Sequence, residues 1–260
     1  MTVDLTAQST GTAAPVVLIT GALTGIGRAT ATTFAERGAR LVVSGRHPDK
    51  GKTLVDDLEA KGTEALFVRT DVRHDQELAA LVDTAVERFG RIDIAVNNAG
   101  TDGQFAALPD MTEELYSQTF DTNVLGTLLS LKHELRIMQQ QGSGSIVNIS
   151  SIYGERGFPT GSLYVASKHA IIGISRSAAL EAAAYGVRVN AIGPGPVQTD
   201  MFDRVTGHDA DAKAAFLSSV PVGRAGRPEE IAEAIVYVTS PNAGFLTGQT
   251  IIIDGGMNAA

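Results

Sequence analysis

The chain has 260 residues, 43% of them hydrophobic, no cysteine and a formal net charge of −8. The missing thiols exclude disulfides, thiolate metal sites and a cysteine nucleophile, and suit a reducing, cytoplasmic setting. The acidic balance argues against nucleic acid or an anionic membrane as partner, and no apolar run approaches the ~20 residues of a membrane span.

Residues 1–13 are small and polar with no apolar core between basic flanks, so they read as a flexible leader and not as a signal peptide. A strand at 16–20 then leads into a helix at 25–38, and a strand at 40–44 into a helix at 49–61. A strand at 65–70 precedes a helix at 75–89, and one at 92–97 precedes a long helical stretch at 112–140. Strand 145–150 is followed by helix 163–184, strand 187–192 by helix 228–239, and 249–253 is the last strand. Strands apolar on both faces and separated by helices predict an α/β fold: a single doubly wound, Rossmann-type domain over 14–260. Its sheet has seven parallel strands and helices on both faces. Residues 200–223 break the rhythm without a clear strand and are expected to form an irregular substrate loop. The five histidines are scattered without metal-ligand spacing, so no metal is expected.

Chemistry-bearing residues sit at the ends of the expected strands. The first strand runs into Thr20-Gly21-Ala22-Leu23-Thr24-Gly25-Ile26-Gly27. Gly21 can make the tight turn, Gly25 admits a phosphate close to the backbone, and Gly27 lets helix pack on strand, with free N–H groups at the helix start. Gly27-Arg28-Ala29 lacks the Lys-Ser/Thr of a P-loop. Tyr164 and Lys168 share one helix face at i and i+4. A neighbouring cation favours the phenolate, so a lowered phenol pKa is expected, fit for exchanging a proton with an alcohol. Ser151 lies 13 residues before Tyr164 at a strand end, beside Ser150, where a hydroxyl can bond a substrate oxygen. Asn123 in mid-helix disfavours the helix, a mild physical reason to expect a role.

Together these motifs resemble the short-chain dehydrogenases/reductases, in their compact single-domain subgroup, over residues 16–257. The resemblance implies an oxidoreductase that moves a hydride between a nicotinamide and a ketone/secondary alcohol, with Asn123, Ser151, Tyr164 and Lys168 as the catalytic set. The family pattern Asn-x-Ser-Ser selects Ser151 over Ser150, and the helix Asn holds a water at a kink and relays protons towards the Lys. Cofactor contacts are implied for Gly21, Thr24, Gly25, Ile26 and Gly27, for Arg46, and for Asp71 and Val72. They are also implied for Asn98, Ala99 and Gly100, for Tyr164 and Lys168, and for Pro194, Gly195, Val197 and Thr199. Asn97 is chiefly structural.

In NAD-preferring relatives an acid closes the second strand. Gly45 stands there in this sequence with Arg46 next, which favours NADP(H) through a 2′-phosphate pair, with adenine stacking as the alternative role of Arg46. Thr24, where many NADP-binding relatives carry a basic residue, keeps NAD(H) possible. Asp71 reads either as an adenine contact or as a helix N-cap. Substrate contacts are expected from Ser151, Tyr153, Phe158, Tyr164, Met201 and Phe202, a mainly apolar set. A 3-oxoacyl thioester reductase and a glucose-type sugar dehydrogenase are the rival activities, and a cofactor-binding sensor is the non-enzyme rival. Family relatives imply a homotetramer built through 112–140, 163–184 and the C-terminal segment.

Overall fold

The structure, a computed structural model, describes residues 14–259; the expected leader lies outside them. Seven strands form one sheet: β1 (Val16–Thr20), β2 (Arg40–Gly45), β3 (Ala65–Arg69), β4 (Ile94–Asn97), β5 (Gly144–Ile149), β6 (Val187–Pro194) and β7 (Thr250–Ile253). Their order is β3-β2-β1-β4-β5-β6-β7 and every pairing is parallel. The helices are α1 (Gly25–Ala35), α2 (Pro48–Glu59), α3 (Asp75–Phe89), α4 (Glu113–Phe120), α5 (Gly126–Gln141), α6 (Ser162–Ala182), α7 (Asp200–Val205), α8 (Ala210–Leu217) and α9 (Pro228–Thr239).

The strands are apolar on both faces because both are covered. Val17 and Ile19 of β1 pack with Phe34 of α1, Leu54 of α2 and Ile235 of α9. Their neighbours Val16 and Leu18 point the other way, into Leu81 of α3, Met138 of α5 and Ala179 of α6. Alternation at period two thus feeds two cores from one strand. The strand order reverses between β1 and β4, and the crevice outside their carboxyl ends is where such sheets bind ligands.

Three departures from the expected elements have local causes. β4 starts at Ile94 and not at 92, because the Ile92 N–H donates to Gln141 Oε1 at 2.9 Å and the Asp93 carboxylate accepts from Val16 N at 2.8 Å. The 112–140 stretch is interrupted by a π-helical turn, Asp121–Leu125, an extra residue that periodicity cannot reveal. Residues 200–223 are not irregular: they hold α7 and α8, whose first turns are capped by Thr199 and Asp209 through Phe202 N and Ala212 N. No helix among the described residues is long and apolar enough to cross a membrane.

Candidate active site

A cavity of about 500 Å³ opens at the carboxyl ends of the strands. Its floor is the turn from β1 into α1. Gly21 and Gly25 adopt left-handed backbone, with φ of +63° and +53°, which a Cβ makes costly. Space is equally strict: a Cβ on Gly21 would lie 2.7 Å from Ala99 Cα, and one on Gly25 3.0 Å from Thr199 Cγ2. Gly27 does not line the cavity but sits beneath it, where a Cβ would meet Asn98 Nδ2 at 2.5 Å. Asn98 Nδ2 donates to the Thr20 and Gly21 carbonyls at 3.1 and 2.9 Å, and the Thr20 hydroxyl accepts from the Asn98 and Ala99 N–H groups at 3.2 Å. Thr24 begins α1 in extended backbone without a side-chain cap, and the first turn carries no acid. The N–H groups there face the cavity with the positive end of the helix dipole, a cradle that fits a pyrophosphate.

At the far end β2 finishes on Gly45, which presents no side chain; a Cβ there would meet the Leu23 side chain at 2.7 Å. Arg46, His47 and Lys50 line the cavity beside it. Asp71 and Val72 line the same end, and Asp71 is not an N-cap: α3 begins at Asp75 after His74. Its carboxylate instead takes Arg73 Nη2 at 2.6 Å and Nε at 2.9 Å. These bonds, against the opposing effect of burial, hold its pKa down at about 2.

Across the cavity stand Ser151, Tyr164 and Lys168. Ser151 caps a 3-10 turn, its hydroxyl accepting from Tyr153 N at 3.2 Å. Ser150, its neighbour, turns away to donate to the Lys168 carbonyl at 2.9 Å. The buried Lys168 Nζ donates to the Ile149 carbonyl at 3.0 Å and lies 5.5 Å from the centre of the Tyr164 ring. Within the protein itself, burial works against the expected lowering of the phenol pKa. Burial pushes Tyr164 up to about 12, the Ser151 hydroxyl hydrogen-bonds it and pulls the other way, and Asp102 adds to the rise. Burial also brings Lys168 down to about 8. At neutral pH the site therefore offers a protonated phenol beside a largely charged ammonium.

Asn123 does not line the cavity. It sits fully buried in the π turn, where its Oδ1 accepts from Thr101 N at 2.8 Å and its Nδ2 donates to Thr101 O at 2.9 Å and Ser167 Oγ at 3.0 Å. A Cβ on Gly100 would touch both Asn123 Oδ1 at 3.4 Å and Lys168 Nζ at 3.6 Å, so the two are near neighbours across Gly100.

The remaining wall is mainly apolar. Tyr153 and Phe158 pack with ring centres 5.0 Å apart, Phe105 meets Phe158 at 5.7 Å, and Tyr153 meets Tyr164 at 6.5 Å. Met201 and Phe202 of α7 and Phe216 of α8 close the other side. Ile26, Gly100, Pro194, Gly195, Val197 and Thr199 complete the lining. Sequence reasoning missed Lys50, Phe105, Asp102, Arg204 and Phe216. Lys50 had a signal, its i+4 spacing from Arg46; Asp102 and Phe105 sit in the loop after β4, whose path no spacing gives, and Arg204 and Phe216 in the short helices α7 and α8, a stretch that reads as irregular. Among the described residues no group of three or more His, Cys, Asp or Glu is placed to hold a metal ion.

A family model described as enoyl-(acyl carrier protein) reductase matches residues 21–258. The chain is 41% identical over 244 residues to cis-4-hydroxycyclohexanecarboxylate dehydrogenase of Sinomonas cyclohexanicum, covering 94% of this chain and 96% of that one. Levodione reductase, a solved structure, superposes with a TM-score of 0.92 at 35% identity, over 95% of this chain and 98% of its own. A variant of actinorhodin polyketide ketoreductase solved with NADPH superposes with a TM-score of 0.91 at 35% identity, again over 95% and 98%.

Proposed function

This chain belongs to the short-chain dehydrogenase/reductase family, and from that premise we propose that it reduces a ring-sized, mainly apolar ketone to a secondary alcohol with NADPH. The observation that carries the reading is one cavity holding, at one end, Tyr164 with Ser151 and Lys168, and at the other a bare strand end flanked by Arg46, His47 and Lys50.

The glycine loop with Asn98, Ala99 and Gly100 would hold a dinucleotide, whose reduced nicotinamide would supply the hydride when bound. Tyr164 is the acid: a phenol held near 12 keeps its proton at neutral pH and yields it to a developing alkoxide, a stronger base. Ser151 bonds the substrate oxygen and orients it on the phenol hydroxyl. Lys168, anchored by the Ile149 carbonyl, puts a positive charge beside the ring as the phenol gives up its proton. Asn123 fixes the turn at Thr101 next to Lys168, and the π turn around it supplies the kink at which a water relay would reach the ammonium. Arg46 and Lys50 would pair with a 2′-phosphate, which NADH lacks.

The walls of Tyr153, Phe158 and Phe105 suit a flat or alicyclic body, and the similarity to a hydroxycyclohexanecarboxylate dehydrogenase points the same way. Similarity to a polyketide ketoreductase favours 3-oxoacyl thioester reduction as a second reading. A panel of cyclic ketones, 3-oxoacyl thioesters and hexoses, each assayed with NADPH and with NADH, tests both. Cyclic ketones with NADPH are expected to give the highest kcat/KM; strong preference for hexoses with NADH overturns the reading. The exposed Leu128 of α5, Leu180 of α6 and Tyr185 beyond it fit a homotetramer, checked by light scattering.

A further inference from the structure

The substrate side of the cavity has two walls, held in different ways. One is a fixed post. The Thr101 backbone exchanges two hydrogen bonds with the buried Asn123, at 2.8 and 2.9 Å. Gly103 N donates to Thr101 Oγ1 at 3.1 Å, and Gly103 itself is left-handed at φ +68°, where a Cβ would run into Thr119. Asp102 is presented into the cavity from this pinned turn.

The other wall is the α7–α8 unit. Left-handed Gly207 and His208, at φ +64° and +57°, join its two short helices. Lys213 donates to Asp203 at 2.7 Å, and the rings of Phe202 and Phe216 lie 5.5 Å apart, so the two helices are tied to each other. The unit leaves the sheet through Thr199, whose hydroxyl accepts from Phe202 N at 3.4 Å. It turns Met201, Phe202, Val205 and Phe216 towards the substrate space.

Across the mouth Arg204 Nε and Nη2 donate to the two oxygens of Asp102, both at 3.3 Å. Among the described residues no other hydrogen bond joins α7 or α8 to the loop after β4. The Asp102 side chain is 14% exposed and that of Arg204 52%. A two-pronged pair with long bonds and one wet partner fastens weakly and is screened by salt. Such a contact suits a wall that must open once per turnover.

We propose that Asp102 and Arg204 form a clasp that closes α7–α8 over the bound ketone and so positions it on Tyr164. The proposal rests on the reductase reading above. Neither residue touches the reacting atoms in this account; both act through the wall that they join, and are positioning residues. When the clasp is shut the Asp102 carboxylate is neutralised by Arg204, and when it opens an unpaired carboxylate faces the phenol.

The test measures kcat and KM for the ketone at low and high ionic strength in the wild type, Asp102→Asn, Arg204→Gln and the reversed pair Asp102→Arg with Arg204→Asp. NADPH affinity and amide exchange over 200–217 are followed in parallel. Each single variant is expected to raise KM about threefold to fivefold at low salt, with NADPH affinity unchanged and exchange over 200–217 accelerated. High salt should raise KM of the wild type towards that of the variants, and leave the variants where they are. The reversed pair should recover most of the loss. Single variants that keep wild-type KM, salt dependence and exchange would overturn the clasp. Absence of NADPH-dependent ketone turnover in the wild type would instead overturn the reductase reading, while the exchange data would still decide the clasp.

Discussion

Between β1 and α1 the cavity floor is backbone packed on backbone, with Gly21 against Ala99 and Gly27 against Gly21 and Asn98. Between α7 and the loop after β4 the wall is held by two side-chain tips at 3.3 Å. The floor leaves no room for a Cβ at Gly21 or Gly27, while the wall closes through one ion pair between side-chain ends. This difference sorts the molecule by what each part must recognise. A dinucleotide is one molecule with one shape, and a rigid surface suits it. A substrate enters and leaves, and its wall has to give.

The comparison breaks most readily at the floor. Gly21→Ala puts a Cβ into left-handed backbone 2.7 Å from Ala99 Cα, a strain of roughly 1–2 kcal/mol before any clash. NADPH affinity should fall by about a hundredfold and Tm by a few degrees; fluorescence titration and calorimetry check both. Unchanged affinity would show that the floor can shift after all. At the edge of the floor the effect is smaller and selective. Arg46→Ala should weaken NADPH about tenfold, as expected for a charge-assisted bond, and leave NADH unchanged. Equal loss for both cofactors would assign Arg46 to adenine stacking.

Beneath the floor lies a third kind of packing. Glu134 of α5 is fully buried and accepts from Asn97 Nδ2 at 2.9 Å; the same amide bonds Asn148 Oδ1, and Asn148 Nδ2 donates to Ser175 Oγ at 2.8 Å. Burial, opposed by the Asn97 bond, raises the Glu134 pKa from 4.5 to about 7. The folded state then holds a proton that the unfolded chain releases above the ordinary carboxyl pKa. The stability linked to this proton is fully present below about 4.5 and is lost as pH rises through about 7, up to about 3 kcal/mol. Glu134→Gln should therefore raise Tm by roughly 5–10 °C at pH 8 and hardly at all at pH 4. A Tm change independent of pH would place the cost in packing and not in charge.

The same contrast explains what the sequence made legible. Helix α9 ran where expected because Pro228 and two acids open it; α3 did so because Gly90 closes it in left-handed backbone at φ +80°. The glycine loop and the Tyr164–Lys168 face were readable because backbone sterics and a single helix fix their spacing. The π turn at Asn123 was marked only by the kink that the family resemblance implied, since one inserted residue leaves little trace in a hydrophobic period. Helices α7 and α8 carried capping signals at Thr199 and Asp209 that their shortness concealed. Asp102 and Arg204 meet across 102 positions, a pairing no local pattern encodes. Spacing names the cation beside Tyr164 and says nothing of the burial that works against it.

The central claim, that Tyr164 carries the proton while the rest of the cavity holds the cofactor, is tested most directly by Tyr164→Phe, measuring NADPH binding and ketone turnover on the same preparation. That role of Tyr164 predicts NADPH affinity within about twofold of wild type and turnover reduced at least about a hundredfold. Turnover that survives at the wild-type rate, with NADPH still bound, would contradict it.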